Sequence, residues 1–211
     1  MNLPHLNCTT EKLREDICRE YEVHADDCII LYGDRVIRSD ANNRKIRDKY
    51  YQFSCKHRIS GEERMIICGS GAARHLCLLI GEQMPHAMNP FAGNGGGVDI
   101  GGTDNLGTNW NVKRRQLYYA IQLFITYYQE KLTPGTKIFR LLQGVADEKY
   151  IYLQPQKFQY EQFIDVVTKF HTDIPTIIAE LGKYGALRRF NFGILADEVD
   201  ELLPERDNIF R

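Results

Sequence analysis

The chain has 211 residues, is 43% hydrophobic and 26% charged, and carries a formal net charge of −1. That length supports one large domain or two small ones with a real core. The composition excludes a disordered tail, a collagen-like fibre and a disulfide-dense miniprotein, and the near-neutral charge excludes a general polyanion sponge.

Thr9 or Thr10 caps an expected helix near 10–22, with Leu13, Ile17 and Cys18 at helical spacing. Cys28–Tyr32 is a short apolar run that predicts a strand, with Arg35-Val36-Ile37 returning beside it as a hairpin. Tyr50–Ile59 and Arg64–Cys68 form a second expected hairpin around Ser60-Gly61-Glu62-Glu63. A four-residue loop there pairs Ile59 with Arg64, and the same register sets Cys55 opposite Cys68. Gly69-Ser70-Gly71 is a small-residue turn leading into a helix over Arg74–Ile80.

From Gly93 to Gly107, seven of fifteen residues are glycine, the composition of a linker or a wrapping loop. Within it, Asp99-Ile100-Gly101-Gly102-Thr103 resembles the phosphate loop of sugar kinases of the actin-like ATPase group. Its mid-chain position leaves too little sequence for that two-lobed fold, so nothing is carried over. A helix over Val112–Leu132 is apolar on nearly its whole circumference and is the expected core helix. Lys137–Gln143 and Lys149–Leu153 read as a short strand pair. Helices are expected over Phe158–Phe170, over Thr176–Lys183 with Pro175 in its first turn, and over the acidic Ile194–Leu203.

Strands cluster early and helices late, so the class is α+β. The expected organisation is an N-terminal β-hairpin-rich lobe over 1–92, the Gly-rich loop 93–107, and a mainly helical lobe over 108–211 with the strand pair.

All six cysteines lie between Cys8 and Cys77. No run approaches the ~20 apolar residues of a membrane span, and the polar N-terminus does not read as a signal peptide. The expected compartment is the cytoplasm, with reduced thiols and no membrane partner. No organic cofactor is implied. Structural zinc would draw on Cys55, His57 and Cys68, with His75 and Cys77 nearby. Residues two apart on a helix diverge by ~200°, so His75 and Cys77 do not serve one ion together. The competing reading makes these cysteines small buried apolar residues. Cys68 before a helix start, with His57 or His75 as base, is the candidate nucleophile.

Two features suit phosphate. Gly69, Ser70 and Gly71 open a helix whose free N–H groups suit an anion, unless they only make a tight turn. Lys113, Arg114 and Arg115 open the core helix, where cations oppose the macrodipole; a bound phosphate would relieve that, as would acids in the 197–201 cluster. Over Arg35–Gly61 there are eight Lys/Arg against Asp40 and Asp48, interleaved with Tyr50, Tyr51 and Phe53. Arg44, Lys45, Arg47, Lys49, Lys56 and Arg58 are the expected phosphate contacts. The expected function is a binding module or accessory subunit for a phosphate-bearing partner, nucleic acid first. The alternatives are an enzyme on a nucleotide-like or phosphorylated small molecule, and a protein-interaction subunit without an active site.

Overall fold

A computed structural model describes residues 3–85, 88–91, 109–129, 136–147 and 149–211. The Gly93–Gly107 stretch, the string Asp99–Thr103 and residues 130–132 of the expected core helix lie outside the described residues. The fold is α+β, with strands mostly N-terminal and helices mostly C-terminal. It divides into two compact units, Met1–Met88 with Gln129–Phe139, and Asn89–Tyr128 with Arg140–Arg211.

In the first unit, helix α1 (Glu11–Glu20) starts where Thr10 Oγ1 accepts the Leu13 amide at 3.2 Å. At Tyr21 the backbone turns extended and runs straight into β1 (Tyr21–Ile30). β1 thus begins seven residues before the apolar run. The adjacent acids Asp26 and Asp27 separate its first half from that run, and a bulge between Ala25 and Asp27 breaks its alternation. Asp26 sits in that bulge, buried, with Ser54 Oγ donating to its carboxylate at 2.9 Å.

The sheet order is β1, β4 (Lys49–His57), β5 (Glu63–Cys68), all antiparallel. Two expectations are corrected. Residues 35–37 do not return along β1. Instead β2 (Ile37–Arg38) pairs with β3 (Lys45–Ile46) as a separate two-stranded ribbon. The β4–β5 register also differs: Cys55 faces Arg64, and Cys68 faces Tyr51. Gly61 adopts a left-handed φ of 70°, and the turn closes with Gly61 N donating to His57 O at 2.9 Å and His57 N to Glu62 O at 2.8 Å. That turn occupies 58–62, which moves the pairing by four residues. Because four is even, both cysteines still face the same side.

Helix α2 (Ser70–Ile80) packs on α1 and rests on β1 and β4. The core between them holds Ile17, Val23, Phe53, Ile66 and Leu76 with Cys8, Cys28, Cys55, Cys68 and Cys77. All six cysteines are free thiols, and five are buried. The chain start lies along β5, with Leu6 N donating to Met65 O at 2.9 Å and Met65 N to Pro4 O at 3.1 Å.

In the second unit, α3 (Val112–Tyr128) is buried without interruption from Leu117 to Thr126, as its all-round apolar surface requires. The helices α5 (Lys157–Lys169), α6 (Ile174–Gly182) and α7 (Gly193–Leu202) pack on it, with Phe124 edge-on to Phe163 and Phe170. α6 starts where Asp173 accepts the Thr176 amide at 2.7 Å, with Pro175 in the first turn.

The expected strand pair does not form. Lys137–Gln143 lies in helix α4 (Lys137–Ala146), and Lys149–Leu153 is a run of turns with Tyr150 N bonded to Asp147 O and Leu153 N to Tyr150 O, both at 2.9 Å. Ile138, Phe139, Leu141, Leu142 and Val145 are all buried, and their spacing is a helical stripe. Among the described residues no helix is long and apolar enough to cross a membrane.

Candidate phosphate-binding cleft

Helix α2 begins without a side-chain cap, as α7 also does. Its N-cap is Gly69, extended at φ −79° and ψ 172°, so no side chain caps the first turn, and that turn holds no acid. Ala73 N reaches Gly69 O at 3.1 Å. The amides of Ser70, Gly71 and Ala72 come before the helical ladder can supply acceptors. Their partial positive charge faces a cleft of about 480 Å³.

The other wall of the cleft comes from the β2–β3 ribbon and the residues after it: Arg44, Lys45, Arg47 and Lys49, with Asn42 at the tip and Asp48 as the one acid of the lining. Arg44, Lys45 and Arg47 are exposed and Lys49 is half-buried. None of the four forms an ion pair among the described residues. Two sequence features at least 20 residues apart, the basic residues 44–49 and Gly69-Ser70-Gly71, therefore line one concavity.

The ribbon is held in place from below. Asp40 N donates to Ile67 O at 2.7 Å, the Asp40 carboxylate accepts Ile67 N at 2.6 Å, and Cys8 N donates to Asp40 O at 3.2 Å. His5 Nδ1 lies 2.9 Å from the same carboxylate, which raises the pKa of that histidine. By residue type Asp40-Ala41-Asn42-Asn43 reads as a turn or loop. The signal for more is Asn43, which takes a φ of 54° that asparagine tolerates.

Other candidates fall elsewhere. Lys56 and Arg58 lie at the far end of β4, with Lys56 about 23 Å along the strand from Lys49. Lys56 sits between Glu22 and Glu63 in the register, and Arg58 reaches Cys18 O at 3.4 Å. Tyr50, Tyr51 and Phe53 are buried, so they offer no face for stacking. The start of α3 is occupied by its own protein partners. Asn111 Oδ1 accepts the Lys113 and Arg114 amides at 3.0 and 3.3 Å, and Lys113 pairs with Glu198. Arg114 is 3% exposed, its guanidinium spent on backbone carbonyls. Arg115, beside them, is half-buried.

The nucleophile and metal candidates change too. Cys68 is fully buried against Cys8; that hydrogen-bonded neighbour and the burial push its thiol up, away from reactivity. His75 Nδ1 accepts from Arg14 Nε at 2.9 Å, in a tie that also joins Arg14 to Cys8 O at 2.7 Å. Burial pushes the Cys55 thiol up as well, and His57 turns its Nδ1 to Ser60, 2.9 Å from Oγ. Among the described residues no three metal-binding side chains converge. No family model matches the chain, and comparison with curated proteins and with solved structures finds no match.

The glycines flanking Ser70 are free of steric need: a Cβ at Gly69 or Gly71 meets nothing within 4 Å, and neither carries a positive φ. Gly71→Ala is therefore expected to raise stability by roughly 0.5 kcal/mol through helix propensity. Thermal denaturation checks this; a lower melting temperature would show that the fold itself requires the glycine.

Proposed function

We propose that the first unit is a binding module for a phosphate-bearing partner, and that this partner is nucleic acid. The convergence of Arg44, Lys45, Arg47 and Lys49 on the uncapped start of α2 carries the reading. Cationic side chains supply long-range attraction, and backbone amides at a helix start give directional contacts to phosphate oxygens. Near-neutral net charge does not oppose this, because the basic residues are gathered on one wall.

Binding of a labelled mixed-sequence oligonucleotide at rising salt tests it. Four phosphate contacts give a slope of log K against log salt of roughly −3 on a single strand and roughly −3.6 on duplex DNA. Arg44→Ala or Arg47→Ala should flatten that slope by about 1. Absence of binding at low ionic strength would end the proposal.

A second reading, a protein-interaction role, rests on the other unit. Tyr150, Tyr152, Leu153 and Phe158 are all exposed on or next to the loop that Arg114 holds, and aromatic residues are enriched at protein interfaces. The enzyme alternative finds no support in the geometry of Cys68 and His75.

A further inference from the structure

We infer that the partner is duplex DNA and that the β2–β3 ribbon is the element that enters its major groove; this rests on the phosphate-binding reading of the cleft. The major groove of B-DNA, about 12 Å wide, admits a two-stranded β-ribbon. β2 and β3 form such a ribbon, separate from the three-stranded sheet. Besides the phosphate contacts Arg44 and Lys45, its exposed residues are Arg38, Asn42 and Asn43, side-chain types that pair with guanine and adenine edges.

A ribbon of two residues per strand does not hold its shape alone. Here its turn is bolted to β5 by the paired bonds between Asp40 and Ile67, and closed by Ser39 N to Arg44 O at 3.0 Å and Asn43 N to Ser39 O at 2.8 Å. A short, exposed and polar element held this firmly has the rigidity that base-edge contacts require. The cleft at its foot places Arg47 and Lys49 where flanking phosphates would set the register.

Two competing forms of nucleic acid fit less well. Single strands are held by stacking on rings. In the first unit, the exposed large apolar side chains among the described residues are Leu13, Val36, Ile59, Leu78 and Leu79, none of them aromatic. RNA duplexes close their major groove to side chains.

The test uses the full chain and three labelled probes of equal length and mixed sequence: a DNA duplex, a DNA single strand and an RNA duplex. The DNA duplex is expected to bind at least tenfold more tightly than the other two. Asn42→Asp keeps the turn, because the residue's Oδ1 accepts Arg44 N at 3.0 Å and a carboxylate does so equally, but it adds a negative charge at the ribbon tip. It should weaken duplex binding by tenfold or more, whereas Lys56→Glu, far from the cleft, should leave binding intact. Equal or tighter binding of the single strand or the RNA duplex, with loss on Arg47→Glu, would overturn the duplex inference and leave the cleft reading standing. Unchanged duplex affinity in Asn42→Asp would overturn groove entry by the ribbon. No binding of any probe at low salt would overturn both.

Discussion

Arg114→Ala is expected to lower the unfolding free energy by roughly 3–5 kcal/mol, read from denaturant unfolding. The guanidinium donates from Nε to Leu153 O at 2.7 Å, from Nη1 to Gly144 O at 3.2 Å and Val145 O at 3.3 Å, and from Nη2 to Gln154 O at 3.3 Å. Gly144 and Val145 lie in the last turn of α4, where carbonyls lack helical donors and the dipole favours a cation. Arg114 thus opposes the dipole of its own helix and satisfies that of another. Alanine would leave several carbonyls without a donor in a part-buried site. Arg114→Lys keeps the charge but loses the planar fork, so it should recover only part of the loss. A loss under 1 kcal/mol in Arg114→Ala would show that the clamp is dispensable. Nucleic-acid affinity of the folded Arg114→Ala chain should be unchanged, because this residue is committed to the second unit.

Asp26→Asn should remove most of a pH dependence of stability between about pH 4 and pH 7. Burial pushes the Asp26 carboxyl up to about 7; the Ser54 hydrogen bond opposes the rise and neighbouring Asp27 adds to it. In that window the unfolded chain releases a proton that the folded chain retains. Stability is therefore full below about pH 4 and falls as pH rises toward 7. A shift of about three units, at ~1.4 kcal/mol each, sets an upper limit near 4 kcal/mol. His5 acts in the same sense, since pairing with Asp40 raises its pKa and that contribution is lost on deprotonation. The difference between the wild-type and Asp26→Asn curves isolates Asp26. Parallel unfolding curves from pH 4 to pH 8 would refute its protonated state.

Local signals were the legible ones. Thr10 before α1, Asp173 and Pro175 before α6, and the unbroken apolar surface of α3 each act within a turn or two of chain. The helical stripe of Ile138, Leu141, Leu142 and Val145 was also present, but a compact apolar run reads equally as a strand. The cleft was hidden by register. Pairing Cys55 with Cys68 would bring Phe53 level with Ser70 and carry the basic run past the start of α2. The true pair, Tyr51 with Cys68, brings Lys49 level with Ser70. Each half of the site was readable alone; a left-handed glycine at position 61 decided that they meet. The partners of Arg114 were not legible either, because they lie 30 to 40 residues away.

The first residues of the chain act as a guard on the sheet. β5 would otherwise present Met65 with an unpaired amide and carbonyl, the kind of open border along which β-proteins stick to one another. Pro4 and Leu6 take both groups. A chain trimmed past Cys8 would uncover that border and a neighbouring piece of core at once, and its first symptom would be self-association in solution rather than loss of the fold.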